Sequence, residues 1–183
     1  DSRKGVYPMI CTLETLTSMD VFTGQDTTVL QRKLEAVEKL IRAYTNNNFQ
    51  VRAVRFKAPS NGKLLAGSSP YLKVGDTVEI SKSGVNDGLY VIQGITEDGI
   101  TVDKDLFTVD SNLVTLVKYP ADVVEGVINL LTWEVENRQK VGIKTETISR
   151  HSVTYYDQDA NNQVMGYPVS LLGFLQPYIK ARF

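Results

Sequence analysis

Residues 26–46 read DTTVLQRKLEAVEKLIRAYTN, the most regular stretch of the chain. Leu30, Leu34, Val37, Leu40, Ile41 and Tyr44 return at three- and four-residue steps, the spacing that lines one face of an α-helix. Asp26 or Thr27 stands where a side-chain oxygen can accept a hydrogen bond from a first-turn N–H. Arg32, Lys33, Glu35, Glu38, Lys39 and Arg42 fall on the opposite face, a mixed-charge pattern that reads as a solvated surface or the rim of an interface. Asn46-Asn47-Asn48 ends the helix, because asparagine tolerates the left-handed conformation used at helix C-termini. Just upstream, Leu13, Leu16 and Met19 suit a short helical turn, and Phe22-Thr23-Gly24 breaks it.

Downstream the period changes. Across 51–118, apolar residues such as Val78, Ile80, Tyr90, Ile92, Ile100, Val102, Val114 and Leu116 sit in short, often alternating runs. Turn residues separate them at Pro59-Ser60-Asn61-Gly62, Gly75-Asp76, Asn86-Asp87-Gly88 and Glu97-Asp98-Gly99. This spacing predicts a compact β module, a small barrel or sandwich of about five strands. Pro120 then opens a second helix to about Asn137, since a proline N–H would be unpaired in the first turn anyway. Val124, Val127, Leu131 and Val135 mark its buried face, widened by Val123, Ile128 and Leu130, and Gly126 points to close helix packing.

Gly142 interrupts the chain, and the Thr-, Ser-, Val- and Tyr-rich segment 144–157 reads as an extended arm or hairpin. A polar loop over 157–166 follows, and Pro168 opens a last helix with Leu171, Leu172, Leu175, Tyr178 and Ile179, kinked or ended by Pro177. The predicted class is therefore α+β. Residues 1–50 and 119–183 form a small helical bundle, 51–118 form an inserted small β-barrel, and the arm 144–157 precedes the C-terminal helix.

Composition narrows the function classes. Of 183 residues, 42% are hydrophobic and 22% charged, enough for a packed core. A net charge of −1 gives no bulk electrostatic hold on nucleic acid. The single cysteine, Cys11, allows no internal disulfide and fits a reducing compartment. No apolar run approaches the roughly 20 residues that span a bilayer, so no membrane partner is expected. The first residues, 1–8, lack a signal-peptide core, and the missing initial Met points to a trimmed or foreign start.

No catalytic constellation stands out, and a non-enzyme is expected. The only histidine, His151, lies between Ser149-Arg150 and Ser152 on the arm, where an adjacent serine on an extended strand points to the opposite face. It reads as a surface or interface histidine. One His and one Cys do not make a zinc site, and the pairs Asp103/Asp105 and Asp157/Asp159 read as solvated turns rather than cation loops. Residues 84–88, GVNDG, lack the Gly-Lys-Ser/Thr ending of a phosphate loop. No metal or cofactor is expected. In the β module, Arg52, Arg55 and Lys57 near Phe56 are candidate nucleic-acid contacts, although Asp87, Glu97, Asp98, Asp103, Asp105 and Asp110 make its later part acidic.

Two separated stretches resemble head–tail connector proteins of long-tailed bacteriophages. Residues 26–49, closing on LIRAYTNNNF, are similar to the first long helix of that family. Residues 119–183 resemble its remainder: Pro120 opening a helix, GIKTETIS at 142–149, SVTY at 152–155, a polar loop, then Pro168 leading through Leu171, Leu175 and Tyr178 to Arg182-Phe183. VGDTV at 74–78 and NDGLYVI at 86–92 look like the small barrel inserted in some of these adaptors.

The resemblance implies a dodecameric ring beneath the portal protein, in the neck of a virion assembled in the host bacterial cytoplasm. The ring would extend the DNA channel, pass DNA without specific binding, and give a platform to a stopper or tail-completion protein. Ile148, Arg150, Val153, Tyr155 and Tyr156 of the arm are then candidate contacts to a neighbouring subunit, as a ring's heterologous interface requires. The same arm also fits an ordinary hairpin on its own core. Tyr178, Lys180, Arg182 and Phe183 are candidate portal or partner contacts, given their aromatic and basic content.

Overall fold

The computed structural model describes residues 10–137, 145–148, 151–154 and 163–181. The class is mixed α+β. The chain divides into two compact units, one of residues 48–119 and the other of 10–47 with 120–183.

In the second unit, α1 spans Leu13–Thr17 and a short 3-10 turn spans Asp20–Phe22. Leu16 and Phe22 are buried there. The long helix α2 runs Thr27–Thr45, with Asp26 as its N-cap. The Asp26 carboxylate accepts from the backbone N–H of Thr28 at 2.8 Å and of Val29 at 3.0 Å. Those two donors hold its pKa below the usual carboxylate value. Asn46 ends α2 in the left-handed region, at φ 49°.

Leu30, Leu34, Val37 and Ile41 form the buried face of α2. The charged face is less solvated than its pattern suggests. Glu38 is buried, and Lys33 reaches Glu134 on the next helix at 2.6 Å.

That helix, α3, spans Ala121–Asn137 and buries Val123, Gly126, Val127, Ile128, Leu130 and Leu131. Gly126 is the contact point expected of it: a Cβ there would overlap the Phe174 ring.

The expected C-terminal helix does not form. Val169–Leu171 and Gly173–Tyr178 are two short 3-10 segments, with Pro177 inside the second. Gly173 weakens the helical path and Pro177 cannot supply an N–H, so only tight turns form, and Leu172 and Leu175 still reach the core. Before them, part of the expected polar loop is a minimal hairpin. β7 (Gln163–Val164) pairs with β8 (Tyr167–Pro168) across Met165-Gly166, both at positive φ as a tight two-residue turn requires.

In the first unit, four antiparallel strands replace the expected five: β1 (Gln50–Leu65), β2 (Thr77–Ser81), β3 (Gly88–Thr96) and β4 (Gly99–Val117). Their order is β1-β4-β2-β3, with β3 also reaching back to β4. The sheet is not closed into the expected barrel: β1 ladders only with β4 among the described residues.

Pro59-Ser60-Asn61-Gly62, expected as a turn, lies inside β1 instead. The β1–β4 register shifts around Ser60, Gly62 and Leu64, so the strand bends through bulges that tolerate a proline and a glycine. Glu97-Asp98 form the β3–β4 turn, closed by the Thr96–Gly99 pair. Gly99, at φ 139°, is required because a Cβ there would strike the Leu65 carbonyl. One inner face packs Leu65, Val78, Ile80, Ile92, Ile100, Val102 and Val114 into a single core. The arm appears as a ribbon, β5 (Thr145–Ile148) antiparallel to β6 (His151–Thr154).

Two consequences are measurable. Gly126→Ala gains about 1 kcal/mol of helix propensity, yet the overlap with Phe174 is an overpacking cost of about 1–3 kcal/mol. The expected net result is a lower midpoint in urea denaturation, and an unchanged or raised midpoint would contradict the packing. Burial first, and the neighbouring Glu38 second, push the Cys11 thiol up to about 11. The folded protein should therefore leave Cys11 unmodified by a thiol reagent at neutral pH, with rapid labelling only in denaturant.

Candidate functional site

The C-terminal segment is built into its unit. The hydroxyl of Tyr178 donates to the Asp122 carboxylate in the first turn of α3, 2.8 Å from each oxygen. The carbonyl of Tyr178 accepts from the Asn47 side chain at 3.1 Å. Two residues on, the Lys180 N–H donates to the Thr45 carbonyl at 2.8 Å, and the Ala181 carbonyl accepts from Asn46 at 3.0 Å. The segment thus joins the C-terminal end of α2 to the start of α3.

Of the four tail candidates, Tyr178 is committed to Asp122, while Lys180 is anchored by its backbone with its side chain exposed. Arg182 and Phe183 lie outside the described residues. Ile179, between the two anchors, is left 44% exposed. The sequence missed Asn46, Asn47 and Asp122 as holders of this segment. Three successive asparagines exceed what a helix terminator needs, and that excess was the available signal.

Further along α3, Glu134 gathers two contacts. It takes the Lys33 ammonium on one oxygen, and the Tyr167 hydroxyl donates to the other. The Tyr167 ring meets Trp133 edge-on at 5.8 Å. Of the arm candidates, Ile148 falls in β5 and Val153 in β6. Arg150, Tyr155 and Tyr156 lie outside the described residues, and so do Asp157 and Asp159. Ribbon β5–β6 is two-stranded, with no third strand paired to it among the described residues.

On the β unit, Arg52, Arg55 and Lys57 are all exposed on β1. Arg55 is engaged in a surface network: its Nε donates to the Thr115 hydroxyl at 2.9 Å and its Nη2 to Gln50 at 3.0 Å. Gln50 and Asn48 in turn donate to Glu79. Such a network leaves the guanidinium charge in place but occupies donors that a phosphate would need.

Asp103 and Asp105 sit within β4 rather than in a turn. Asp103 accepts from the Val91 N–H at 2.8 Å, in line with the bend of that strand. Residues 82–87 connect β2 to β3, and the Asp87 carboxylate accepts from Ser83 and Gly84 N–H, so this loop is braced as a turn. Among the described residues no group of three His, Cys, Asp or Glu side chains is placed to hold a metal ion. No helix among them is long and apolar enough to cross a membrane.

The least expected feature is a buried amide. Asn86, 2% exposed, accepts from the Phe107 N–H at 2.8 Å and donates to the Phe107 carbonyl at 2.9 Å. Its amide also reaches Ser60 and Asn112, and Ser60 donates to the same Phe107 carbonyl at 2.7 Å. Both peptide groups of Phe107 are therefore fixed, while its side chain stands 70% exposed, with Val85 of the adjoining loop at 58%.

The Tyr178–Asp122 bond has a pH signature. Donation to Asp122 first, then desolvation, then the carboxylate charge raise the Tyr178 pKa above its ordinary value near 10. A raised native pKa means a stabilising contribution that is full below the unfolded value and lost as pH rises through the native one. Thermal melts across the alkaline range should show Tyr178→Phe with a weaker loss of stability above about pH 10 than the parent. Identical alkaline profiles would contradict the bond.

Against known proteins, no family model matches the chain, and no curated protein matches it.

Proposed function

We propose that the chain is a ring-forming head–tail adaptor from the neck of a long-tailed bacteriophage, with a structural rather than an enzymatic role. In this reading the unit of 10–47 and 120–183 is the ring body. It sits between the portal and a stopper or tail-completion protein, and DNA passes through its channel without specific binding. The motif order of 26–49 and 119–183 supports this reading.

The structural observation that carries the reading is ribbon β5–β6, whose two four-residue strands pair only with each other among the described residues. A lone two-stranded hairpin is marginal in water. A neighbouring subunit packed on it would stabilise it, and a head-to-tail contact of that kind closes a ring. The anchored segment 178–181 also suits this role, because its backbone is held at fixed points that a partner can meet without first ordering it. The engaged Arg55 weighs against the alternative, a nucleic-acid module on β1.

The test is assembly. The purified protein mixed with portal rings should add a ring layer visible by negative-stain microscopy. Removing 144–157 should abolish that layer while thermal melting remains cooperative. Rings that form equally well without the segment would sink the arm's role, and failure of the intact protein to join any portal would sink the adaptor reading itself.

A further inference from the structure

The β unit carries eight basic and eight acidic residues over 48–119, but they are not mixed evenly. β1 carries Arg52, Arg55, Lys57 and Lys63 and no acidic residue. Residues 97–110 carry Glu97, Asp98, Asp103, Asp105 and Asp110, with Lys104 the one base among them. The β1–β4 register leaves Lys63 beside the acidic stretch, where its ammonium donates to the Asp103 carbonyl at 3.2 Å, and sets Arg52, Arg55 and Lys57 apart from it. Val51 pairs with Leu116 and Lys57 with Leu113, so the basic stretch 52–57 flanks the C-terminal part of β4, and the acidic residues lie along its other part.

Each charged end carries a second feature. At the acidic end, exposed Asp105 and Asp110 bracket Phe107, the aromatic side chain held outward by the Asn86 pedestal beside Val85. A large aromatic on a rigid, fully hydrogen-bonded backbone loses little entropy when a partner covers it, which is the character of an interface hot spot. At the basic end, β1 has an edge with no strand paired to it among the described residues, alongside exposed Ala53 and half-buried Leu113.

We infer that the occupant of the Phe107 knob is a second copy of this chain. The Phe107–Val85 pair, with its Asp105 and Asp110 rim, seats against the Arg52–Lys57 stretch of β1 on the neighbouring molecule. The two surfaces differ and are opposite in charge, so the contact is head-to-tail and leaves a knob and a seat open at the two ends of any pair. Such a contact propagates around a ring, and the inference rests on the adaptor reading for the ring's closure. It gives the inserted unit a task that the helical unit does not require of it: a second contact between successive subunits. The knob itself is small beside the roughly 1,200–2,000 Å² of a stable interface, so the isolated contact is weak and concentration-dependent.

Sedimentation velocity on the full chain, from about 1 μM to about 1 mM, tests it. The parent should self-associate within that range. Phe107→Ser should weaken association by at least about tenfold, with an unchanged melting temperature because the side chain is exposed. Arg52→Glu with Lys57→Glu should weaken it, and Asp105→Lys with Asp110→Lys should do the same. An equimolar mixture of those two charge-reversed proteins should associate more tightly than either alone. A parent that stays monomeric throughout, a Phe107→Ser protein that associates like the parent, or a mixture with no recovery overturns the inference. If the parent stays monomeric and Phe107→Ser fails to join portal rings, the knob belongs to the portal contact. That result rejects the second copy as occupant while leaving the adaptor reading intact.

Discussion

The β unit depends on one strand. β4 runs nineteen residues, from Gly99 to Val117, and every other strand of the sheet ladders onto it. β1 follows one side of it nearly end to end. On the other side β2 takes the C-terminal half, and β3 takes the N-terminal half. A strand shared in this way must change direction along its length, and the β1 register slips repeatedly between Thr101 and Asn112. Bulges leave backbone groups without ladder partners. Asn86, Ser60 and Asn112 supply those partners from the buried side, where unmet polar groups are most costly. Tyr90 closes the same network from β3, its hydroxyl donating to the Asn86 carbonyl at 2.9 Å.

The exposure of Phe107 follows from this bend. The residue lies at the point where the strand leaves its ladder, so its side chain turns away from the core while its peptide groups are held by Asn86. One polar pedestal therefore keeps the sheet continuous and presents an aromatic surface at the same place. A loop-borne aromatic would present similar chemistry with far less rigidity.

The helical unit is held by a different device. Its apolar core of Leu16, Phe22, Leu30, Leu34, Ile41, Leu130 and Leu131 packs the helices together. Polar links then set their register: Lys33 to Glu134, Tyr167 to the same carboxylate, and Tyr178 to Asp122. The links come from positions that a sequence pattern assigns to a wet face. Two helices that pack at an angle bring part of each polar face within reach of the other, and that angle is not written in the period of either helix.

The sequence alone determined the elements whose signals are local. Helix 27–45 was legible from its spacing, from a cap at Asp26 or Thr27, of which the structure uses Asp26, and from the Asn46-Asn47-Asn48 stop, because caps and apolar periods act within a turn or two of the residues that carry them. Helix 121–137 and the Gly126 contact were legible for the same reason, as was the turn at Glu97-Asp98. Tertiary structure alone decided that Pro59–Gly62 would be a bulge rather than a turn and that the sheet would stay unclosed. It also decided which asparagines would do structural work: Asn86 under Phe107, and Asn46 and Asn47 under the C-terminal segment. These amide contacts join residues between 21 and 135 positions apart in the chain. A buried amide finds its partners only after the strands and helices have met, so no spacing in the sequence announces them.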